Sequence, residues 1–269
     1  MHTRQYEHPP SRSAAMIATI PTRLTFALLA ASAALAPSAR AQETQPADSV
    51  SFNAALASDY RYRAVSQTRL QPALQGGADY VHNPSGLYAG TWLSTIKWTR
   101  DAGGGGGIEW DIYAGKRGRL GADVAYDVGV LGYLYPGNGL KDVPGFADAN
   151  TGEAYGQLGY GPAYVKYSLA LTNLFGFVDS RRSGYLDLGA NLDMGNGLVL
   201  NLHAGRQDVR NNDQASYTDY KLGVTKDFGV ATLALAYIAT NAGEAAYASP
   251  ANGKFLARKA FVASIGKTF

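Results

Sequence analysis

The charged side chains of this chain that could do chemistry sit at every second position of short stretches in which polar and apolar residues alternate. Glu109 and Asp111 share one such stretch, and Asp187 and His203 occupy polar positions of two later ones. An alternation of period two is typical of a β-strand with one polar and one apolar face. The candidate site residues that we place on the polar face are Asp59, Arg61, Arg63, Glu109, Asp111, Asp127, Glu153, Lys166, Asp187, His203, Asp219 and Lys221.

The spacing of these residues does not match that of a catalytic or metal centre. His203 and His82 are the only histidines after position 41, and the carboxylates around them lack the spacing of metal ligands. An acyl hydrolase built on His203 would need Ser168 or Ser264 as its nucleophile, and nothing in the sequence brings either serine within reach of the ring. We therefore expect no catalytic, cofactor-binding or metal-binding residues and no cofactor, and an outer-membrane acyl hydrolase is only a remote alternative.

The elements that must position these side chains are strands. Leu198, Leu200 and Leu202 alternate with Asn201 and His203, and this pattern recurs along the chain. No stretch after position 41 shows the 3.6-residue period of an amphipathic helix. We predict strands near 50–60, 71–82, 87–98, 108–117, 122–134, 153–160, 163–172, 184–194, 198–207, 217–226, 230–240 and 257–269.

The connections between these strands are short and long in turn. Short ones rich in glycine, asparagine or proline fall at 83–86, 118–121, 161–162, 195–197 and 227–229. Long ones fall at 136–152, 173–183, 208–216 and 241–255, and another holds the glycine run 103–107. Short turns at one rim and long loops at the other are typical of membrane barrels. We therefore predict an all-β fold, an antiparallel up-and-down transmembrane β-barrel of about 12 strands over residues 50–269.

The first 41 residues have the features of a cleaved secretory signal peptide. An apolar run from Leu24 to Ala36 is followed by Ala39-Arg40-Ala41, so we expect cleavage after Ala41, and either Met1 or Met16 fits as the start. Residues 42–49 then form a short periplasmic tail. Without the leader, 20 basic and 20 acidic residues remain, so no basic excess suggests a nucleic-acid partner.

Several blocks resemble the TorF-family outer-membrane porins of proteobacteria. Ser58-Asp59-Tyr60-Arg61-Tyr62-Arg63 followed by Ser66-Gln67 resembles the opening motif of that family, although Ala64 stands where glycine is usual. The similarity continues through Glu109-Trp110-Asp111-Ile112-Tyr113-Ala114-Gly115, Tyr126-Asp127-Val128-Gly129-Val130, Gly184-Tyr185-Leu186-Asp187-Leu188-Gly189, His203-Ala204-Gly205 and Asp219-Tyr220-Lys221-Leu222-Gly223-Val224. The resemblance implies a membrane barrel with a pore; it brings no defined substrate and no catalytic residues.

The charged face allows two interpretations once it is placed inside a barrel. It can line a pore whose charges select solutes, or it can fill the lumen with acids and bases that neutralise one another. Arg61 and Arg63, two residues apart on a predicted strand, can clamp an anionic solute. They can equally pair with Asp59 or with the acidic wall. The sequence leaves these alternatives open.

The function predicted on this basis is that of a bacterial outer-membrane porin that lets small hydrophilic solutes diffuse passively. The alternative is a closed-lumen barrel with a structural or partner-binding role through its long loops. The expected partners are outer-membrane lipid and lipopolysaccharide, the solutes themselves, and the barrel-assembly machinery, which would bind the C-terminal strand ending at Phe269.

Overall fold

The structure is a computed structural model that describes residues 46–269. The predicted signal peptide, its cleavage site after Ala41 and the first part of the predicted tail lie outside the described residues. Within the described part, no helix is long and apolar enough to cross a bilayer.

Twelve strands form one closed antiparallel barrel, which confirms the predicted fold class. These strands are β1 (Asp48–Ala57), β4 (Ala73–His82), β5 (Leu87–Thr95), β6 (Ile108–Leu120), β7 (Val124–Leu134), β8 (Thr151–Tyr160), β9 (Ala163–Ala170), β10 (Gly184–Asp193), β11 (Leu198–Asp208), β12 (Tyr217–Asp227), β13 (Thr232–Thr240) and β14 (Ala260–Thr268). Two short strands, β2 (Arg61–Tyr62) and β3 (Val65–Ser66), form a separate hairpin. The loops hold the short helices α1 (Trp98–Asp101) and α2 (Glu244–Tyr247) and 3₁₀ turns at Leu140–Asp142 and Asp213–Ala215.

The barrel closes where the first strand meets the last. β1 pairs with β14 in a register that sets Asn53 opposite Thr268 and Ala57 opposite Ser264, and with β4 on its other side. Every barrel strand therefore has two neighbours, and no row of backbone N–H and C=O groups is left at an edge. Such closure is what a sheet needs to survive in hydrocarbon, where no water can satisfy those groups.

The outer face of the barrel is apolar. Val130, Leu188 and Phe261 are 53%, 47% and 71% exposed, and each alternates with residues that point inward. The inner face carries most of the buried polar side chains, including Glu109, Asp219 and Asn201. This is the arrangement that the period-two pattern predicts, with lipid outside and polar groups inside.

Tyrosine and glycine are abundant because they pack against each other inside the barrel. Tyr164 lies directly opposite Gly189 in the β9–β10 register, and a β-carbon on Gly189 would collide with the tyrosine ring. The same inward tyrosine-over-glycine arrangement recurs on neighbouring strands. The other pairs are Tyr113 with Gly90, Tyr88 with Gly115, Tyr155 with Gly129 and Tyr185 with Gly205.

The prediction for the first strand was wrong at its end. The strand was expected to reach residue 60 and to place Arg61 and Arg63 on one face, but β1 ends at Ala57. Arg63 and Ala64 have φ values of 44° and 68°, a left-handed turn that cannot continue a strand. Residues 58–72 instead fold inward and form a compact segment that we call the inner loop.

Candidate functional site

The inner wall of the barrel has two sides, which we call the charged half and the uncharged half; the uncharged half is formed by three of the twelve barrel strands. The inward positions of β6 to β12 carry the acidic and basic candidates, whereas those of β13, β14 and β1 carry no charged residue in the described structure. The uncharged half consists largely of small side chains, among them Ala55, Ala234, Ala236, Ser264 and Gly266. The uncharged half therefore offers no charged partner to the candidates on the charged half.

The inner loop fills the rim of the barrel that bears the long loops. Tyr60 and Ser66 are fully buried, and Thr68 is 1% exposed. The β2–β3 hairpin turns through Arg63 and Ala64, both left-handed. Glycine adopts this conformation at no steric cost, so the alanine at position 64 is strained where a glycine would not be.

Asp59 holds the inner loop in shape. Its carboxylate accepts hydrogen bonds from Arg61 Nε at 2.7 Å, Ser66 Oγ at 2.5 Å and Thr68 Oγ1 at 3.2 Å. The Arg61 guanidinium also donates to the backbone oxygens of Ala64 and Arg258, at 3.1 and 2.6 Å. Arg61 is therefore engaged within the protein, and the structure shows the pairing with Asp59 rather than an anion clamp.

Arg63 joins the inner loop to the charged wall. Its Nη2 lies 2.7 Å from Oε2 of Glu153 on β8, and its Nη1 lies 2.8 Å from Oε1 of Gln207 on β11. The guanidinium also lies 4.2 Å from the centre of the Tyr185 ring. A buried guanidinium with two hydrogen-bonding partners and an aromatic face is held firmly. Arg63, too, is paired with the acidic wall.

Two tyrosines of the inner loop make further contacts with the wall. Tyr60 donates a hydrogen bond of 2.6 Å to Oε1 of Glu109, and its ring packs edge-on against Trp92. The hydroxyl of Tyr62 hydrogen-bonds that of Tyr133. Tyrosines were not among the predicted candidates, because aromatic residues in a barrel are equally compatible with the lipid-facing rims.

The outer loops pack over the same rim. Leu140 and Ala149 of the β7–β8 loop are fully buried in one cluster with Tyr60. Val65 packs with Leu256 of the β13–β14 loop, and the N–H of Ser66 donates to the oxygen of Leu256 at 3.0 Å. The loop-bearing rim is thus covered from inside and outside. The opposite rim has only short turns at 83–86, 121–123, 161–162, 194–197 and 228–231.

His203 is held between two carboxylates. Its Nδ1 lies 2.8 Å from Asp187 Oδ1, and its Nε2 lies 2.7 Å from Asp219 Oδ1 and 3.1 Å from the Tyr185 hydroxyl. Both ring nitrogens are engaged, so the imidazole is not free to take a proton from Ser168 or Ser264. This is a hydrogen-bonded lumen network, and it gives no support to the acyl-hydrolase alternative.

The remaining candidates are spread along the charged half. Asp127 accepts a hydrogen bond of 2.6 Å from Tyr88, Lys166 lies 4.1 Å from the ring centre of Tyr155, and Lys221 stands opposite His203. Asp111 is fully buried, and neither of its carboxylate oxygens has a hydrogen-bonding partner among the described residues.

Asp79 and Arg117 also belong to this wall, although they were not among the predicted candidates. Asp79 accepts a hydrogen bond of 2.6 Å from Tyr113, and the guanidinium carbon of Arg117 lies 5.3 Å from the Tyr88 ring centre. Both occupy inward positions of their strands, so the alternation that identified the other candidates could have identified them as well.

Comparison with known proteins supports the fold. A family model described as a bacterial protein of unknown function matches residues 41–269. No curated protein matches the chain. A solved structure described as "KdgM porin" is similar with a TM-score of 0.50 and 5% identity, covering 82% of this chain and 97% of that chain. At such low identity, this likeness shows a shared barrel fold and nothing further.

Two other solved structures are more distant. Pseudomonas aeruginosa OprD has a TM-score of 0.38 at 9% identity and covers 82% of this chain and 66% of that chain. LpxR from Salmonella typhimurium has a TM-score of 0.36 at 11% identity and covers 81% of this chain and 99% of that chain.

Proposed function

The chain belongs to this bacterial family of unknown function, Gcw_chp, and we propose that it is an outer-membrane porin that lets small hydrophilic solutes diffuse passively through a narrow lumen. The resemblance to the TorF-family porins supports the same assignment. In this proposal, the signal peptide is cleaved after Ala41, residues 42–49 lie in the periplasm, and the long loops face outward.

The observation that carries the proposal is the division of the inner wall. Polar groups line the inside of a cylinder whose outside is apolar, so water is the natural content of the lumen. On the uncharged half, the inward side chains are small, among them Ala55 and Ala234. We infer that solutes pass along this uncharged half, with the inner loop restricting the outer entrance.

One observation favours the alternative of a closed-lumen barrel. The inner loop and the outer loops cover the loop-bearing rim together, with Tyr60 and Leu140 fully buried. A barrel sealed in this way would act through its outer surface, where the 135–150 and 241–259 loops would meet a partner. The two functions differ in whether solutes cross.

Liposome swelling with sugars of increasing size tests the proposal. Liposomes that contain the protein should swell in a monosaccharide and progressively less in larger oligosaccharides. Replacing Ala234, which points inward, by Trp should slow swelling because the indole narrows the lumen beside the uncharged half. Ala263→Trp is the matched control, since Ala263 points outward and should leave swelling unchanged. If liposomes fail to swell even with Glu153→Gln, which loosens the inner loop, the closed-lumen alternative replaces the porin.

A further inference from the structure

The outer face of the barrel has a groove on strands β10 to β13. This groove has a volume of about 600 Å³ and is lined by Leu188, Ala190, Leu202, Ala204, Tyr220 and Tyr237, among others. Ala190 stands opposite Leu202, and Ala204 stands opposite Leu188 on one side and Tyr220 on the other. Ala190 and Ala204 are smaller than the side chains around them, and the space of this shallow groove lies over these two alanines. Because this face meets hydrocarbon, an acyl chain is the natural occupant of the groove.

Arg206 lies at the end of the groove nearest the long loops. It follows Ala204 on the same outward face of β11 and stands opposite Leu186 and Thr218. Its side chain is exposed and makes no hydrogen bond or ion pair with any described residue. An arginine on a lipid-facing position is costly at mid-depth but stable at the level of the lipid headgroups, where it meets phosphate.

Two more arginines are anchored at the same end of β10 and β11. The N–H of Arg210 donates to Ser183 Oγ at 3.0 Å, and the N–H of Arg182 donates to the oxygen of Ala170 at 3.0 Å. Both side chains are exposed. The exposed carboxylate of Asp208 is nearby on β11, yet no ion pair in the described structure joins it to these arginines. The loop-bearing end of β10 and β11 therefore presents exposed guanidinium groups that form no ion pair with a described residue, and Arg206 lies on the same outward face as the groove.

From this arrangement we propose that β10 to β13 bind lipopolysaccharide of the outer leaflet through its lipid A. An acyl chain lies in the groove over Ala190 and Ala204, and a lipid A phosphate lies on Arg206, within reach of Arg182 or Arg210. Guanidinium binds phosphate through two parallel hydrogen bonds, which a lysine cannot match. This inference rests on the outer-membrane location in the proposed function, but it does not depend on whether the lumen conducts.

Native mass spectrometry of the purified barrel with added lipid A tests the site. We expect wild-type protein to retain bis-phosphorylated lipid A, and Arg206→Glu to lower the bound fraction by about tenfold or more through loss of the guanidinium and charge repulsion. Ala204→Trp, which fills the groove, should also lower it. Lys116→Glu is the matched control, because Lys116 is an exposed outward residue near the opposite rim and should leave binding unchanged.

Several outcomes would overturn the inference. They are a wild-type protein that does not retain lipid A, an Arg206→Glu variant that retains as much as wild type, or a Lys116→Glu variant that loses as much as Arg206→Glu. Equal retention of phosphatidylglycerol would replace lipopolysaccharide by a general anionic lipid. Each variant is first checked for folding by its mobility shift on heating in detergent gels. Liposome swelling is measured separately, so a silent lumen and an absent lipid site are distinguished.

Discussion

Arg63 and Glu153 form an ion pair inside the loop-bearing rim, with 2.7 Å between Nη2 and Oε2 and side chains that are 7% and 3% exposed. Glu153 lies on β8, and Arg63 belongs to the inner loop that follows β1. Between β1 and β8, the wall runs through β4, β5, β6 and β7. The pair therefore ties the inner loop to the wall across the barrel.

Breaking this pair should release the inner loop. Arg63→Met leaves Glu153 buried without its partner, and removing one member of a buried ion pair costs about 3–5 kcal/mol. We expect the amides of residues 58–72 to exchange with solvent at least about a hundredfold faster, because the free energy needed to open this segment falls. Hydrogen exchange followed by mass spectrometry measures this rate.

The control for this prediction is a double-mutant cycle. Combining Arg63→Met with Glu153→Met removes both charges. The loss of free energy in the double variant should therefore be smaller than the sum of the losses in the two single variants, and its amides should exchange more slowly than that sum predicts. Strictly additive effects, or unchanged protection in Arg63→Met, would show that the pair does not hold the loop.

The tyrosine-over-glycine contacts should not tolerate a methyl group. Gly189→Ala places a β-carbon in the ring of Tyr164, and such overpacking costs about 1–3 kcal/mol. Gly132→Ala is the matched control, because the nearest atom to its new β-carbon would be 3.8 Å away. Urea titrations of protein folded in vesicles compare the two. Equal stability of both variants would contradict the packing described here.

A charge on the outer face should block insertion, whereas loss of a charge inside should not. Leu188 is 47% exposed to the lipid side, and a lysine at mid-depth costs about 2–4 kcal/mol. Asp187, the next residue along β10, points inward to His203. We expect Leu188→Lys to fold poorly into vesicles and Asp187→Asn to fold as wild type, as judged by heat-modifiable mobility. Similar behaviour of the two variants would reverse the assignment of the faces.

Removing the charge of Asp111 and removing that of Glu109, on the same strand, should change the stability of the barrel in opposite directions. Asp111 is buried without a hydrogen-bonding partner in the described structure, so Asp111→Asn should raise the stability of the barrel. Glu109 accepts a hydrogen bond from Tyr60, so Glu109→Met should lower stability by about 1–3 kcal/mol by leaving that hydroxyl unpaired. Urea midpoints test both variants. A loss of stability in Asp111→Asn would mean that this carboxylate has a partner.

The alternation of residues predicted the barrel because it encodes a physical requirement. Leu186 and Leu188 face outward and Asp187 faces inward, as the sequence pattern requires of a strand between lipid and water. Closure followed from the rhythm of short turns and long loops. The predicted turn at 118–121 was wrong in its bounds: β6 runs on through Gly118 to Leu120, so the turn lies at 121–123.

The inner loop could not be predicted from the same pattern. Asp59, Arg61 and Arg63 alternate with other residues as in a strand, but the left-handed conformations of Arg63 and Ala64 end that alternation. A glycine at either position would have indicated a left-handed turn, and the sequence has none there. The partners of Arg63 lie 90 and 144 residues further along the chain. Contacts at such separations depend on the three-dimensional closure of the barrel and leave no local mark in the sequence.

The most direct test of the account is the electrical conductance of the protein in a planar bilayer. Wild-type protein should give small, discrete steps, and Glu153→Gln should give larger or more frequent ones, because the inner loop is then free to leave the outer entrance. Correctly folded and inserted wild-type and Glu153→Gln proteins that both remain silent would contradict a conducting lumen restricted by residues 58–72.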